Sequence, residues 1–261
     1  MTLSIFLILI ISGLFVGFIN TLSAGGTAIS IALYLALGLS PSQANATNRI
    51  AVLLQTSLTV PLFARKGYLK QTHLFHLAIP TMIGALVGAV LSIILPEMLF
   101  SYFMGLSLLI MLVFLFRSTK KFDEDDSSKT QNGINLIQYL TFFGIGVYGG
   151  FVQVGTGFLL MAAGSMLLGY NIIKTNAVKI TVMALYTIVA VIVFWSEGNI
   201  QWQIGLIHSI GTFIGSFIAT KLAFKKGGRF IKWVIIFVVI FTSLSLFKII
   251  DLKEFFQIFL N

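Results

Sequence analysis

The chain of 261 residues contains no cysteine and only eight carboxylates. Without thiols there can be no disulfides, thiolate metal sites or cysteine nucleophiles. The carboxylates are scarcer than their number suggests. Glu97, Asp123, Glu124, Asp125, Asp126, Glu197, Asp251 and Glu254 all lie at the ends of apolar runs, in one polar stretch or in the tail. A carrier of organic cations would bury an acidic partner, as would a carboxylate proton relay, and this sequence offers neither. Phosphate-binding loops, metal-ligand spacings and nucleophile–base pairs are also missing, so an enzyme would have no residues to work with and nothing asks for a cofactor.

Charged residues are 10% of the chain and hydrophobic ones 57%, where a soluble domain carries roughly 25% charge. The apolar runs are of helix length and show no barrel-like alternation. An all-α polytopic membrane protein follows, in the cell membrane and surrounded by lipid. The first run leads into a glycine pair rather than a small-residue cleavage site, so no removable signal is expected. The formal charge of +9 fits cytoplasmic loops of a membrane protein and calls for no nucleic acid.

Ten apolar pieces can be traced: about 3–20, 26–39, 44–63, 73–95 and 98–116, then 135–152, 157–170, 175–195, 201–222 and 231–249. The natural division is a first repeat over 1–116, a charged linker over 117–134, a second repeat over 135–250 and a tail over 251–261. Sliding the sequence by 131 positions aligns Gly13–Gly84 with Gly144–Gly215, and 17 of 72 positions coincide. Gly26/Gly157, Gly38/Gly169, Asn45/Asn176, Gly67/Gly198 and Thr81/Thr212 are among them.

Each half carries a polar, glycine-containing break, at 20–27 and at 151–157. If each break kinks a single pass, the 14 basic residues other than Arg49, Lys248 and Lys253 divide seven and seven between the two sides. If each is the tip of a re-entrant hairpin, the second repeat is inverted and 14 of the 17 Lys and Arg share one side, leaving Arg49, Lys248 and Lys253 opposite. The positive-inside bias selects the second arrangement. It predicts two inverted repeats of about five membrane-embedded pieces each, a cytoplasmic linker and both termini outside.

Inverted repeats with broken helices place a substrate site between the halves near the midplane. The short helices after each break would start there, and helix starts attract anions. The candidate substrate ligands are Asn20, Ser23, Gly25, Gly26 and Thr27 from the first break and Gln153, Gly155, Thr156 and Gly157 from the second. The third pieces add Asn45, Asn48, Arg49, Asn176 and Lys179. Inversion lets Arg49 meet Gly155–Gly157 and Lys179 meet Ala24–Gly26; the alternative for both is an ordinary flanking charge that snorkels to the interface. His208 sits inside an apolar run, as either a proton relay or a helix-to-helix hydrogen-bond partner, with His73 and His76 near the start of its counterpart.

The first break with its surroundings, Gly17-Phe18-Ile19-Asn20 to Gly25-Gly26, then Gly38-Leu39-Ser40-Pro41 and Ala44-Asn45-Ala46-Thr47-Asn48-Arg49, resembles the sulfite exporter TauE/SafE family of membrane permeases. Tyr148-Gly149-Gly150-Phe151 to Gly157 and Asn176-Ala177 repeat the pattern. The resemblance implies a permease of small sulfur-containing or related organic anions, such as sulfite or an organosulfonate, working by alternating access. Transport coupled to H⁺ or Na⁺ is one reading of the sequence. A passive anion channel, or a scaffold partnering a biosynthetic enzyme, is the other.

Overall fold

The computed structural model describes residues 2–70, 72–104, 106 and 133–246. Among the described residues these helices are traced: α1 (Leu3–Leu22), α2 (Gly26–Ala36), α3 (Pro41–Arg65), α4 (Leu74–Ile94), α5 (Leu136–Phe151), α6 (Thr156–Met166), α7 (Ile172–Ser196) and α8 (Trp202–Leu246), eight in all. Residues 97–104 are also helical. The rest of the expected fifth piece, nearly all of the linker and the tail lie outside the described residues. The pieces expected at 201–222 and 231–249 join as one element, α8, bent where Gly227 leaves helical geometry at φ 71°.

Length and composition fit a polytopic membrane protein. Leu3–Leu22, Leu74–Ile94, Ile172–Ser196 and Trp202–Ile231 are long and apolar enough to cross a bilayer. Their outer faces are greasy: Leu3, Leu7, Ile11 and Phe15 form an exposed stripe at four-residue spacing along α1. By contrast α2 and α6 have 11 residues each, about 16 Å of helix, against a hydrocarbon core of ~30 Å. α3 is polar inside, burying Asn45, Thr47, Asn48, Arg49, Gln55, Thr56 and Thr59.

Local structure recurs at the spacing seen in the sequence. α3 and α7 are both 25 residues long and start 131 positions apart. The turns before and after them use left-handed glycines at matching places, Gly38 (φ 87°) with Gly169 (φ 68°) and Gly67 (φ 79°) with Gly198 (φ 68°). Packing crosses between the halves: α1 lies along α8, α4 lies along α5, and α3 and α7 pack on each other in the middle.

Small residues set the two seams. A Cβ at Gly17 would run into the Thr212 backbone, and one at Gly215 into the carbonyl of Leu14. In the other seam Gly88 abuts the carbonyl of Val147 and Gly150 that of Ala85. Gly13/Gly17, Gly211/Gly215, Gly84/Gly88 and Gly146/Gly150 are each four residues apart, the spacing that lets helix backbones touch in lipid, where apolar burial alone supplies no attraction. Gly144, with nothing within 4 Å of its Cβ position, is outside the seam. Gly215→Leu is therefore expected to destabilise the protein by about 1–3 kcal/mol or to abolish folding through overpacking. Gly144→Ala should stay within ~0.5 kcal/mol of the parent. Thermal unfolding and size-exclusion profiles in detergent distinguish the two, and equal behaviour of the variants contradicts the seam.

Candidate functional site

Both breaks are shorter than the sequence suggests. α1 runs through Asn20, Thr21 and Leu22, so the first break is Ser23–Gly25. α5 ends at Phe151, and the second break is Val152–Gly155, with Gly155 left-handed at φ 80°. The two lie against each other. A Cβ at Gly157 would fall on that of Ala24, and Leu22, Ala24, Val152 and Val154 belong to one apolar cluster.

The first break is braced from within. The Thr27 amide donates to Asn20 Oδ1 at 3.1 Å, and Asn20 Nδ2 donates to Thr27 Oγ1 at 3.4 Å, so Asn20 caps the start of α2. Gly26 leaves room for that cap, since its Cβ would come within 2.9 Å of Asn20 Oδ1. Ser23 turns its hydroxyl back to the carbonyl of Ile19, and Thr156, the first residue of α6, turns its own to the carbonyl of Gln153.

The stronger bracing comes from the other half. α3 starts cleanly, with Pro41 in its first turn and a reciprocal cap between Ser40 and Gln43. Asn45, Asn48 and Arg49 thus share one face one turn further on. Asn45 Nδ2 donates to the carbonyl of Phe151 at 2.9 Å, and its Oδ1 accepts from the Gln153 amide at 3.2 Å. Asn48 Nδ2 donates to Gln153 Oε1 at 3.4 Å. Arg49 donates from its two terminal nitrogens to the carbonyls of Gly149 (3.0 Å) and Gly150 (2.6 Å), its guanidinium carbon 4.7 Å from the centre of the Phe194 ring.

α7 does the same for the first break. Its start is capped by Asn171, which accepts from the Lys174 amide. Two turns on, Lys179 Nζ donates to the carbonyls of Asn20 (3.0 Å), Thr21 (3.4 Å) and Ser23 (2.9 Å). Arg49 and Lys179 are both fully buried, which removes the snorkelling alternative.

Each cation reaches the opposite half's break, as inversion of the sequence suggests, but at the other end of it. The expected partners were Gly155–Gly157 for Arg49 and Ala24–Gly26 for Lys179, the starts of the following helices. The contacts are instead to carbonyls at the ends of the preceding helices. The last carbonyls of a helix lack intrahelical donors and carry its negative dipole end. Buried beside cations with no carboxylate in any of the eight helices, they are the acceptors at hand. Sequence reading missed Gly149, Gly150 and Phe194 as parts of this arrangement. The Gly149-Gly150 doublet closing an apolar run was the available signal.

Several buried polar atoms have no hydrogen-bond partner among the described residues: Arg49 Nε, Asn48 Oδ1, Gln153 Nε2 and both side-chain atoms of Asn176. Asn176 is the positional twin of Asn45 yet makes none of its bonds. Such atoms cost free energy unless water or a ligand meets them. His208, away from the breaks, joins α8 to α2 through a 2.6 Å bond between its Nδ1 and the Tyr34 hydroxyl. His73 and His76 lie edge to face at the start of α4. Among the described residues no cluster of His, Asp or Glu could hold a metal ion.

The chain is similar to membrane proteins of wide bacterial origin. It is 25% identical to "Probable membrane transporter protein ORF9" of Sinorhizobium sp over 238 residues, 91% of this chain and 90% of that one. It is 26% identical to a "Probable membrane transporter protein" of Haemophilus influenzae, covering 86% and 88% of the two chains. With "Probable membrane transporter protein YfcA" of Escherichia coli K12 it shares 27% over 85% of this chain and 82% of that one. No solved structure matches significantly. The pattern of one family, described as sulfite exporter TauE/SafE, matches residues 9–246, nearly the whole chain with both breaks and both bracing helices inside it, and the protein belongs to that family.

Proposed function

We propose that this chain is a secondary transporter of a small anion, sulfur-containing or organic, such as sulfite or an organosulfonate. The family is a transporter family, and its name refers to sulfite export. The observation that carries the reading is the set of buried, unpartnered donors around two touching helix breaks, in a chain whose eight helices include cations and no carboxylate. Arg49 Nε, Gln153 Nε2 and Asn176 Nδ2 offer N–H groups to an oxyanion, together with the amides that open α2 and α6. Asn48 orients Gln153, and Asn45 fixes the break that carries it. Lys179 adds positive charge and holds the facing turn. Ser23, Gly25, Gly26, Thr27, Gly155, Thr156 and Gly157 form the walls.

Alternating access follows from taking 1–116 and 135–250 as two inverted repeats that rock about this point. Matching helix lengths and left-handed glycines support two copies of one unit. Sidedness rests on the basic residues: linker inside, both termini outside, with H⁺ or Na⁺ as coupling ion.

The anion reading is tested by thermal-shift and uptake measurements on purified protein with sulfite, methanesulfonate and acetate. Sulfite or methanesulfonate should stabilise the parent saturably. Gln153→Glu, close in shape but anionic, and Arg49→Gln should each weaken binding about 10- to 100-fold. Arg65→Gln, at the exposed end of α3, should change nothing. Indifference of the parent to all three anions, or equal binding by Gln153→Glu, sinks the reading.

Orientation has its own check, because the chain has no cysteine and any single one is a clean reporter. A membrane-impermeant maleimide added to intact cells should label Glu97→Cys and spare Lys70→Cys until the membrane is opened. The reverse pattern overturns the proposed sidedness.

A further inference from the structure

Three backbone oxygens converge on one ammonium at the end of α1. The carbonyls of Asn20, Thr21 and Ser23 lie 3.0, 3.4 and 2.9 Å from Lys179 Nζ, and the side chain is fully buried. A lysine has three N–H donors and no acceptor, so each donor has its own carbonyl and none is left over for a cargo anion. Arg49 differs, because its Nε is unpartnered. The oxygens belong to the negative end of a helix interrupted inside the protein, with no Asp or Glu in any of the eight helices to share the task. Carbonyls at the end of a half-helix are the ligands that hard monovalent cations take in membrane transporters. Asn176, three residues before Lys179 on the same face of α7, is a further buried oxygen with no partner.

We propose that the Lys179 ammonium is a tethered resident cation, filling a carbonyl cage that would otherwise bind a monovalent inorganic cation. The first break is charge-balanced without a free ion, and the transporter needs no Na⁺ or K⁺ at this position. Ammonium and K⁺ are similar in radius, so K⁺ fits the same oxygens with little rearrangement and Na⁺ requires them to contract. The inference rests on the geometry of the break and holds whatever the cargo is. Failure to bind any anion would leave it standing.

Removing the amine should turn the cage into an ion site. Unfolding temperatures of the full-length protein in detergent are compared in KCl, NaCl, ammonium chloride and choline chloride at one ionic strength. The parent should be indifferent to the cation. Lys179→Ala should be less stable in choline chloride and recover saturably in K⁺ or ammonium, by about 4 °C once the cation exceeds its Kd some tenfold. Na⁺ should act at higher concentration. Lys179→Met, which keeps the bulk but offers no charge and leaves no room, should be destabilised in every salt alike. The proposal is overturned if Lys179→Ala is blind to all three small cations, or if parent and variant respond equally. It is also overturned if Lys179→Ala yields no folded protein even when made and purified in KCl.

Discussion

A backbone carbonyl left bare inside a membrane protein has no water to turn to, and this fold has two helices that stop inside it. The ends of α1 and α5 each expose carbonyls that the helix itself cannot satisfy. Lys179 answers the first and Arg49 the second, each from the half to which the break does not belong. The carbonyls of Asn20, Thr21, Ser23, Gly149 and Gly150 thus take these donors from the opposite half. This mutual bracing holds the breaks in contact, and it explains how two fully buried cations persist without a carboxylate partner among the described residues. Truncating either would leave buried carbonyls unmet, at about 1–3 kcal/mol for each acceptor left without a donor.

The rest of the architecture follows from placing that polar centre in lipid. α3 and α7 carry the cations and the asparagines, so they must be central and shielded. The shield is made by α1 against α8 and α4 against α5, pairs whose backbones approach over glycine. Close seams keep lipid out of the centre and leave the long apolar side chains, Phe15, Ile83, Ile214 and their neighbours, for the outer face. Trp195 and Trp202, edge to face at 5.8 Å across the turn between α7 and α8, are the amphipathic rings expected at a membrane surface. The short helices α2 and α6 need no such outer face, because their duty is to start inside.

Much of this was legible in the sequence for one reason: breaks and cations are rare events in an apolar chain. Asn20, Gly26, Gln153 and Gly157 stand out against their neighbours, and the constant offset pairs Asn45 with Asn176 without any structure. That each cation could cross to the opposite break came from the duplication together with the hairpin arrangement that charge counting favoured, with snorkelling as the alternative. The end of the break it would choose did not follow. Charge logic points a cation towards a bound anion, and only the fold reveals that the nearer claim is the carbonyls of Gly149, Gly150, Asn20, Thr21 and Ser23. Helix ends were misjudged for a related reason. Polar residues such as Asn20 and Thr21 read as loop, yet Asn20 is helical and spends its side chain capping the next helix. The seam glycines were visible as residues and mute as contacts, since spacing of four recurs on lipid faces as well.

The two halves are not equivalent at the centre. Asn45 makes two bonds to the second break, whereas its twin Asn176 makes none, and Lys179 aligns with Asn48 rather than with Arg49. An ammonium with three carbonyl partners has no donor to spare. A guanidinium that keeps Nε does, as does Gln153, held by Asn48 with its amide nitrogen unpartnered among the described residues. On the proposed transport reading, the second break together with Arg49 then meets the cargo, while the first break with Lys179 is the fixed counterface. A site of this kind needs one wall that yields to the ligand and one that does not. On the reading of the halves as two copies of one unit, position 45/176 keeps its asparagine and the divergence lies at 48/179, asparagine against lysine, which produces that inequality without altering the fold.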